Sequence, residues 1–178
     1  MTLGTAVMAR KRRGLILATA VIGGIAAVFV WPQSWLLIRH NGDLRYVYPA
    51  QDGTTFALRW THSVERENWI ERFRLHNGQI MLIGTRFKTF GAGVPAHAGK
   101  RTTLENGWVV MSGIDRIVDP LAVQAAAAEN YSLRYDGAWH ALGRQAGAPI
   151  LTFAYARAPL YRVLPTLIGN WIDTRGTG

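Results

Sequence analysis

Residues 69–86, Trp69-Ile70-Glu71-Arg72-Phe73-Arg74-Leu75-His76-Asn77-Gly78-Gln79-Ile80-Met81-Leu82-Ile83-Gly84-Thr85-Arg86, decide the fold class. Asn77-Gly78 stands between two apolar-patterned runs, which is the sequence of a type I′ hairpin whose two turn residues take positive φ. Pairing His76 with Gln79 sets Leu75 opposite Ile80, Phe73 opposite Leu82, Glu71 opposite Gly84 and Trp69 opposite Arg86 on one surface. Arg72 and Arg74 then lie on the other surface. Glu71 falls on the more apolar face, flanked by Trp69 and Phe73, where a carboxylate without partners is costly to bury. It needs an edge, a cation or a site, and Arg86 and Arg59 are its candidate partners.

Outward from this hairpin the same chemistry repeats. Asn106-Gly107 predicts a turn pairing Thr102–Glu105 with Trp108–Met111, and Asp136-Gly137 one pairing Tyr131–Tyr135 with Ala138–Leu142. Asp43–Tyr48 and Thr54–His62 read as strands joined around Pro49, Asp52 and Gly53, with Phe56, Leu58 and Trp60 on one face. One helix is predicted within this pattern, capped by Asp119, opened by Pro120 and running from Leu121 to Glu129. The expected class is mainly β: an antiparallel β-sandwich or barrel-like domain with one short helix, preceded by a transmembrane helix.

That preceding helix is read from Gly14–Trp31, an uncharged run beyond which apolar character resumes at Trp35–Ile38. At about 1.5 Å per residue such a helix reaches roughly 27 Å, near the thickness of a bilayer's hydrocarbon core. Arg10, Lys11, Arg12 and Arg13 precede it, so the positive-inside rule puts the N-terminus in the cytoplasm and the rest outside. Trp31, Pro32 and Trp35 are bulky residues of an interfacial belt, unlike the small residues of a cleaved signal. The expected organisation is a cytoplasmic basic tail (1–13), an anchor (14–38), an extracytoplasmic β-domain (39–155) and an apolar C-terminal tail (156–178), in a bacterial inner membrane.

The chain's 178 residues carry 20 Lys+Arg against 11 Asp+Glu, no cysteine, and 49% apolar residues. This excludes a disulfide scaffold, a Cys-ligated metal site and a disordered polyelectrolyte. Without the four anchor residues, 16 basic groups face 11 acidic ones, a net +5. Much of the basicity is thus topological, and a nucleic-acid role loses its main support. The tail is apolar at Leu160, Tyr161, Leu167, Ile168 and Trp171, but Arg157, Arg162, Pro159 and Pro165 interrupt it. It reads either as a segment lying on lipid or a membrane partner, or as an element packed on the protein's own core.

The residues that attract a chemical reading are Trp60-Thr61-His62-Ser63-Val64-Glu65, followed by Trp69 and Glu71, and the small-residue loop Gly91-Ala92-Gly93-Val94-Pro95 with His97 beyond. Nucleophilic catalysis needs a base within reach of the hydroxyl, and neighbours on an extended strand point to opposite faces, so His62 is poorly placed to activate Ser63. His62, Glu65, Glu71 and His97 are permissible zinc ligands without a ligand-pair spacing. The glycine loop lacks the Lys-Ser/Thr of a phosphate loop. No catalytic residue, metal or cofactor is expected. The ligand- or partner-binding candidates are His62, Ser63, Glu65, Trp69, Glu71, Gly91, Gly93 and Pro95, with Leu160, Tyr161 and Trp171 of the tail.

Three of these stretches, Trp60–Glu65, Trp69–Phe73 and Phe90–Pro95, together with Gly107-Trp108-Val109-Val110, resemble the signature of the DUF1850 family over roughly Asp43–Leu142. Asn68 stands where the signature often has Pro. The resemblance implies a small anchored protein whose gene neighbours encode a TAXI-type TRAP transporter permease and its periplasmic substrate-binding protein. The function it implies is that of a non-enzymatic accessory subunit of this secondary transporter for small organic acids. Its expected partners are the multispanning permease, the binding protein and membrane lipid, without nucleic acid. The alternative is an extracytoplasmic ligand- or ion-binding sensor using His62, Glu65 and Glu71; a periplasmic hydrolase using Ser63 is a third reading.

Overall fold

The computed structural model describes residues 3–89, 98–142 and 147–175, and the side chains of those that fall between 14 and 170. Helix α1 (Leu3–Val30) leads into eleven strands and a closing helix. The strands are β1 (Pro32–His40), β2 (Asp43–Pro49), β3 (Thr55–Thr61), β4 (Asn68–His76), β5 (Gln79–Phe87), β6 (Arg101–Glu105), β7 (Trp108–Ile117), β8 (Leu121–Gln124), β9 (Ser132–Tyr135), β10 (Ala138–Ala141) and β11 (Ile150–Pro159); helix α2 spans Leu160–Arg175. They form two antiparallel sheets, a four-stranded one ordered β2-β1-β11-β8 and a seven-stranded one ordered β10-β9-β3-β4-β5-β7-β6. The protein is mainly β, as the alternation of its sequence predicts.

Glycine and asparagine chemistry sets the hairpins. Asn77, Asn106 and Asp136 take φ of 50°, 51° and 46°, each followed by a glycine at positive φ. The β6–β7 register pairs Thr102 with Met111 and Glu105 with Trp108, and β9–β10 pairs Tyr135 with Ala138. A fourth turn of this kind, Asn41 and Gly42 at φ 48° and 96°, joins β1 to β2.

The sheets face each other across one core. Leu36, Ile38, Leu151 and Phe153 from the smaller sheet meet Phe56, Leu58, Phe73 and Leu75 from the larger. Phe56 stacks between Phe73 and Phe153, with centroids 4.9 and 6.1 Å away. The smaller sheet's other face is covered by α2, whose Val163 is buried among Trp35, Leu37 and Val47. The order is therefore helix, four strands, seven strands. Trp35 Nε1 donates to the Ala158 carbonyl at 2.9 Å and Asn170 Nδ2 to that of Val47 at 3.0 Å, tying strand, hairpin and helix together.

Four expectations change. The stretch 14–38, read as one anchor, is two elements: the helix ends at Val30, and Trp35–Ile38 are four consecutive buried residues of β1. A continuous apolar run is what a strand covered on both faces shows, here by the core on one side and α2 on the other. The expected helix Leu121–Glu129 is instead β8 and a single 3-10 turn, Ala127–Glu129. Pairing of Leu121 with Phe153 on β11 outweighs the helix propensity of its alanines. The last strand runs to Pro159 rather than Tyr155, so the tail begins inside a sheet. Finally, the hairpin register holds from His76–Gln79 to Phe73–Leu82 and then slips. Ile83 is an extra residue, a β-bulge, so Glu71 faces Thr85 rather than Gly84, and Ile70 faces Arg86.

On α1 the described side chains begin at Gly14, and from there to Val30 they are uncharged and exposed, Leu15, Ile22 and Ile25 by 70%, 67% and 55%. Among the described residues no helix is long and apolar enough to cross a membrane.

Candidate functional site

The β3–β4 connection builds the site. The His62 N–H donates to the Glu67 carbonyl at 2.8 Å and the Arg66 N–H to that of His62 at 3.0 Å, closing a turn in which Arg66 takes φ 57°. The turn brings His62 Nδ1 to 2.5 Å from Glu65 Oε2, an ion-pair separation when the imidazole is protonated, without the alignment of a hydrogen bond. Ser63 sits exposed at the turn's apex, away from the imidazole's contacts.

Behind the turn lies an aromatic ladder. The His62 ring stacks on Trp69 with centroids 5.5 Å apart, Trp69 on Phe87 at 4.8 Å and on Trp60 at 5.8 Å, and Trp60 on Tyr131 at 5.5 Å. Trp69 Nε1 donates to Thr85 Oγ1 at 2.8 Å, and that hydroxyl donates to the Ile70 carbonyl at 3.3 Å. The indole is thus fixed in orientation, and the imidazole is held between a carboxylate and an indole face. The cavity lined by His62, Glu65, Trp69, Phe87 and Thr89 measures about 10 Å³, room for a water molecule. Thr89, whose hydroxyl donates to Glu67 at 2.7 Å, leads into residues 90–97. Gly91, Gly93, Pro95 and His97 lie outside the described residues.

Glu71 continues the same face one step inward, half-buried. Burial pushes its carboxyl above the usual carboxylate range, partly offset by the Arg116 cation. Arg86 and Arg59, its expected partners, are on the opposite face: the Ile83 bulge turns Arg86 outward, and Arg59 alternates away from Leu58. Burial also raises the Tyr131 hydroxyl, and Glu129 and Glu71 raise it further. Sequence reasoning missed Thr85 and Tyr131. The first was hidden by the bulge; the second comes beside Trp60 only because β9 pairs with β3.

The tail candidates separate. Leu160 packs against the small core under α2, Tyr161 is exposed, and the Trp171 side chain lies outside those described. Among the described residues no group of three or more His, Asp and Glu side chains is placed to hold a metal ion.

The fold and site define a class: an antiparallel β-sandwich joined to an N-terminal helix, with a conformationally fixed polar-aromatic cluster at one end of its larger sheet. Residues 56–142 match the family model described as Domain of unknown function (DUF1850). The match covers nearly all of the seven-stranded sheet, the β3–β4 turn and β8. No curated protein and no solved structure matches the chain.

Proposed function

We propose that the protein is a membrane-anchored, non-catalytic accessory subunit of a TAXI-type TRAP secondary transporter for small organic acids. Helix α1 is its single-pass inner-membrane anchor, with the N-terminus cytoplasmic and the sandwich periplasmic. The observation that carries this reading is the apolar circumference of α1 from Gly14 to Val30. A helix apolar all round is at home in lipid or inside a larger assembly, and the sandwich buries none of that stretch. The transporter association comes from the resemblance of the sequence motifs, which lie within the matched segment 56–142. The sandwich then sits beside a multispanning permease, where it stabilises the complex or helps dock the periplasmic binding protein. Tyr161 and Ile168, exposed on α2, are available to lipid or permease.

Gentle detergent extraction of the full-length chain from its native membrane, followed by sizing and mass spectrometry, tests this. The expected result is a complex containing a multispanning permease. A chain recovered alone, or one released into the soluble fraction without detergent, overturns the reading.

A further inference from the structure

The outer face of the seven-stranded sheet carries a pattern that neither the site nor the anchor uses. Cross-strand registers place Trp139, Arg134, Ala57, Arg72, Gly84, Ser112 and Arg101 in one row running from β10 to β6. The next row holds Arg59, Ile70, Arg86 and Val110. Small residues form the floor, and arginines stand over it. At Gly84 there is little room for bulk, since a Cβ there would lie 3.0 Å from the Met111 carbonyl. The result is an open groove of about 1160 Å³.

Four cations of this face, Arg59, Arg134, Arg86 and Lys88, lie over aromatic rings rather than against carboxylates. The Arg59 and Arg134 guanidinium carbons lie 4.3 and 6.0 Å from the Trp139 ring centre, and those of Arg86 and Lys88 Nζ lie 4.9 and 5.6 Å from that of Trp108. Stacking orients a guanidinium by its face and leaves edge N–H groups to a ligand; Arg134 donates its Nε–H to the Gly137 carbonyl at 3.4 Å and keeps its terminal N–H groups for that purpose. Among the described residues the ion pairs are His62–Glu65, His76–Asp52 and Lys100–Asp115, so none of the face's arginines has an acidic partner.

Spacing selects the occupant. Strands lie about 4.8 Å apart, so Arg134 and Arg72 are separated by about 10 Å at the backbone and Arg72 and Arg101 by about 14 Å. That span exceeds any small dicarboxylate, and the groove is larger and more open than typical ligand pockets of roughly 300–1,000 Å³. Glu105 and Asp136 stand at its two ends. An occupant with uniform charge along its length, such as a nucleic-acid strand, would meet repulsion at both. A polypeptide can place carboxylates over the arginines and neutral residues at the ends.

We propose that this face is a docking surface for an acidic polypeptide segment of a partner protein. The proposal rests on the chemistry of the face and does not require the partner to be a transporter.

The test uses the full-length chain in non-ionic detergent and a fluorescein-labelled peptide with Glu and Ser alternating through its centre and Ser alone at both ends, read by anisotropy at low salt. Binding is expected, a Gln-Ser peptide should not bind, and affinity should fall steeply as salt rises. Arg72→Gln combined with Arg134→Gln should weaken binding at least about tenfold. Arg45→Gln, on β2 of the other sheet, should leave it unchanged, and melting curves should show every variant folded. Absence of binding, equal losses from Arg45→Gln and the double variant, or tighter binding of an oligothymidylate to the same arginines would each overturn the proposal.

Discussion

Glu71 lies on the core side of β4 with its carboxyl half-buried, no hydrogen bond or ion pair among the described residues, and Arg116 as the cation acting on it. A carboxylate so placed holds its proton more tightly folded than unfolded. Between its ordinary value of 4.5 and its raised folded value, the native state therefore binds more protons than the unfolded one. The stability this confers is fully present below pH 4.5 and is lost as pH rises through the folded value. Glu71→Gln removes the charge and keeps the shape, so it should stabilise the protein at pH 7 by about 1 kcal/mol, a rise in Tm of about 2–4 °C. The difference should vanish near pH 4, where both side chains are neutral. Thermal melts at the two pH values check this; an equal gain at both would mean that packing, not charge, is responsible. The face Glu71 occupies was legible from alternation, but its neighbours were not, because one extra residue at Ile83 reverses the parity of everything beyond it.

Among the elements, legibility followed the range of the interactions. Hairpins β4–β5, β6–β7 and β9–β10 are each written in two turn residues and their flanks, and their turns stand as read. Asn41-Gly42 carries the same signal, but Trp35–Ile38 before it resembles a membrane-interface segment unless its partner is known. That partner is β11, from the far end of the chain. The same dependence governs α2. Read alone, its apolar residues fit lipid and self-packing equally; the fold shows Val163 at 2% exposure against β1 and β2, and Ile168 at 50% facing outward. Val163→Ala should therefore destabilise the sandwich by about 1–3 kcal/mol, while Ile168→Ala should change stability by less than about 0.5 kcal/mol. Chemical denaturation of the two variants measures both. Equal costs would place α2's contact elsewhere than on the smaller sheet.

On the scale of the whole molecule, the family segment and the folding unit do not coincide. Residues 56–142 supply the seven-stranded sheet and β8, but β1, β2 and β11 come from outside them, and with them Leu36, Ile38, Leu151 and Phe153 of the central core. A chain cut to 56–142 would expose Phe56, Leu58, Phe73 and Leu75, now at most 3% accessible, as one apolar sheet face. An antiparallel sheet can leave one face to water only when that face is polar. Here the polar face is the arginine side, and the other must be covered. The segment by itself should thus show no cooperative thermal transition and should self-associate, whereas the full chain should melt as one unit with β1 and β11 among its slowest-exchanging amides. Hydrogen exchange and calorimetry of the two chains decide the matter. A cooperative, monomeric 56–142 would mean that the larger sheet stands alone and that the smaller sheet and α2 are an added cover. Failure of the segment would assign β1 and β11 the structural role of joining the helix-bearing ends of the chain to the domain that carries the His62 cluster and the arginine face.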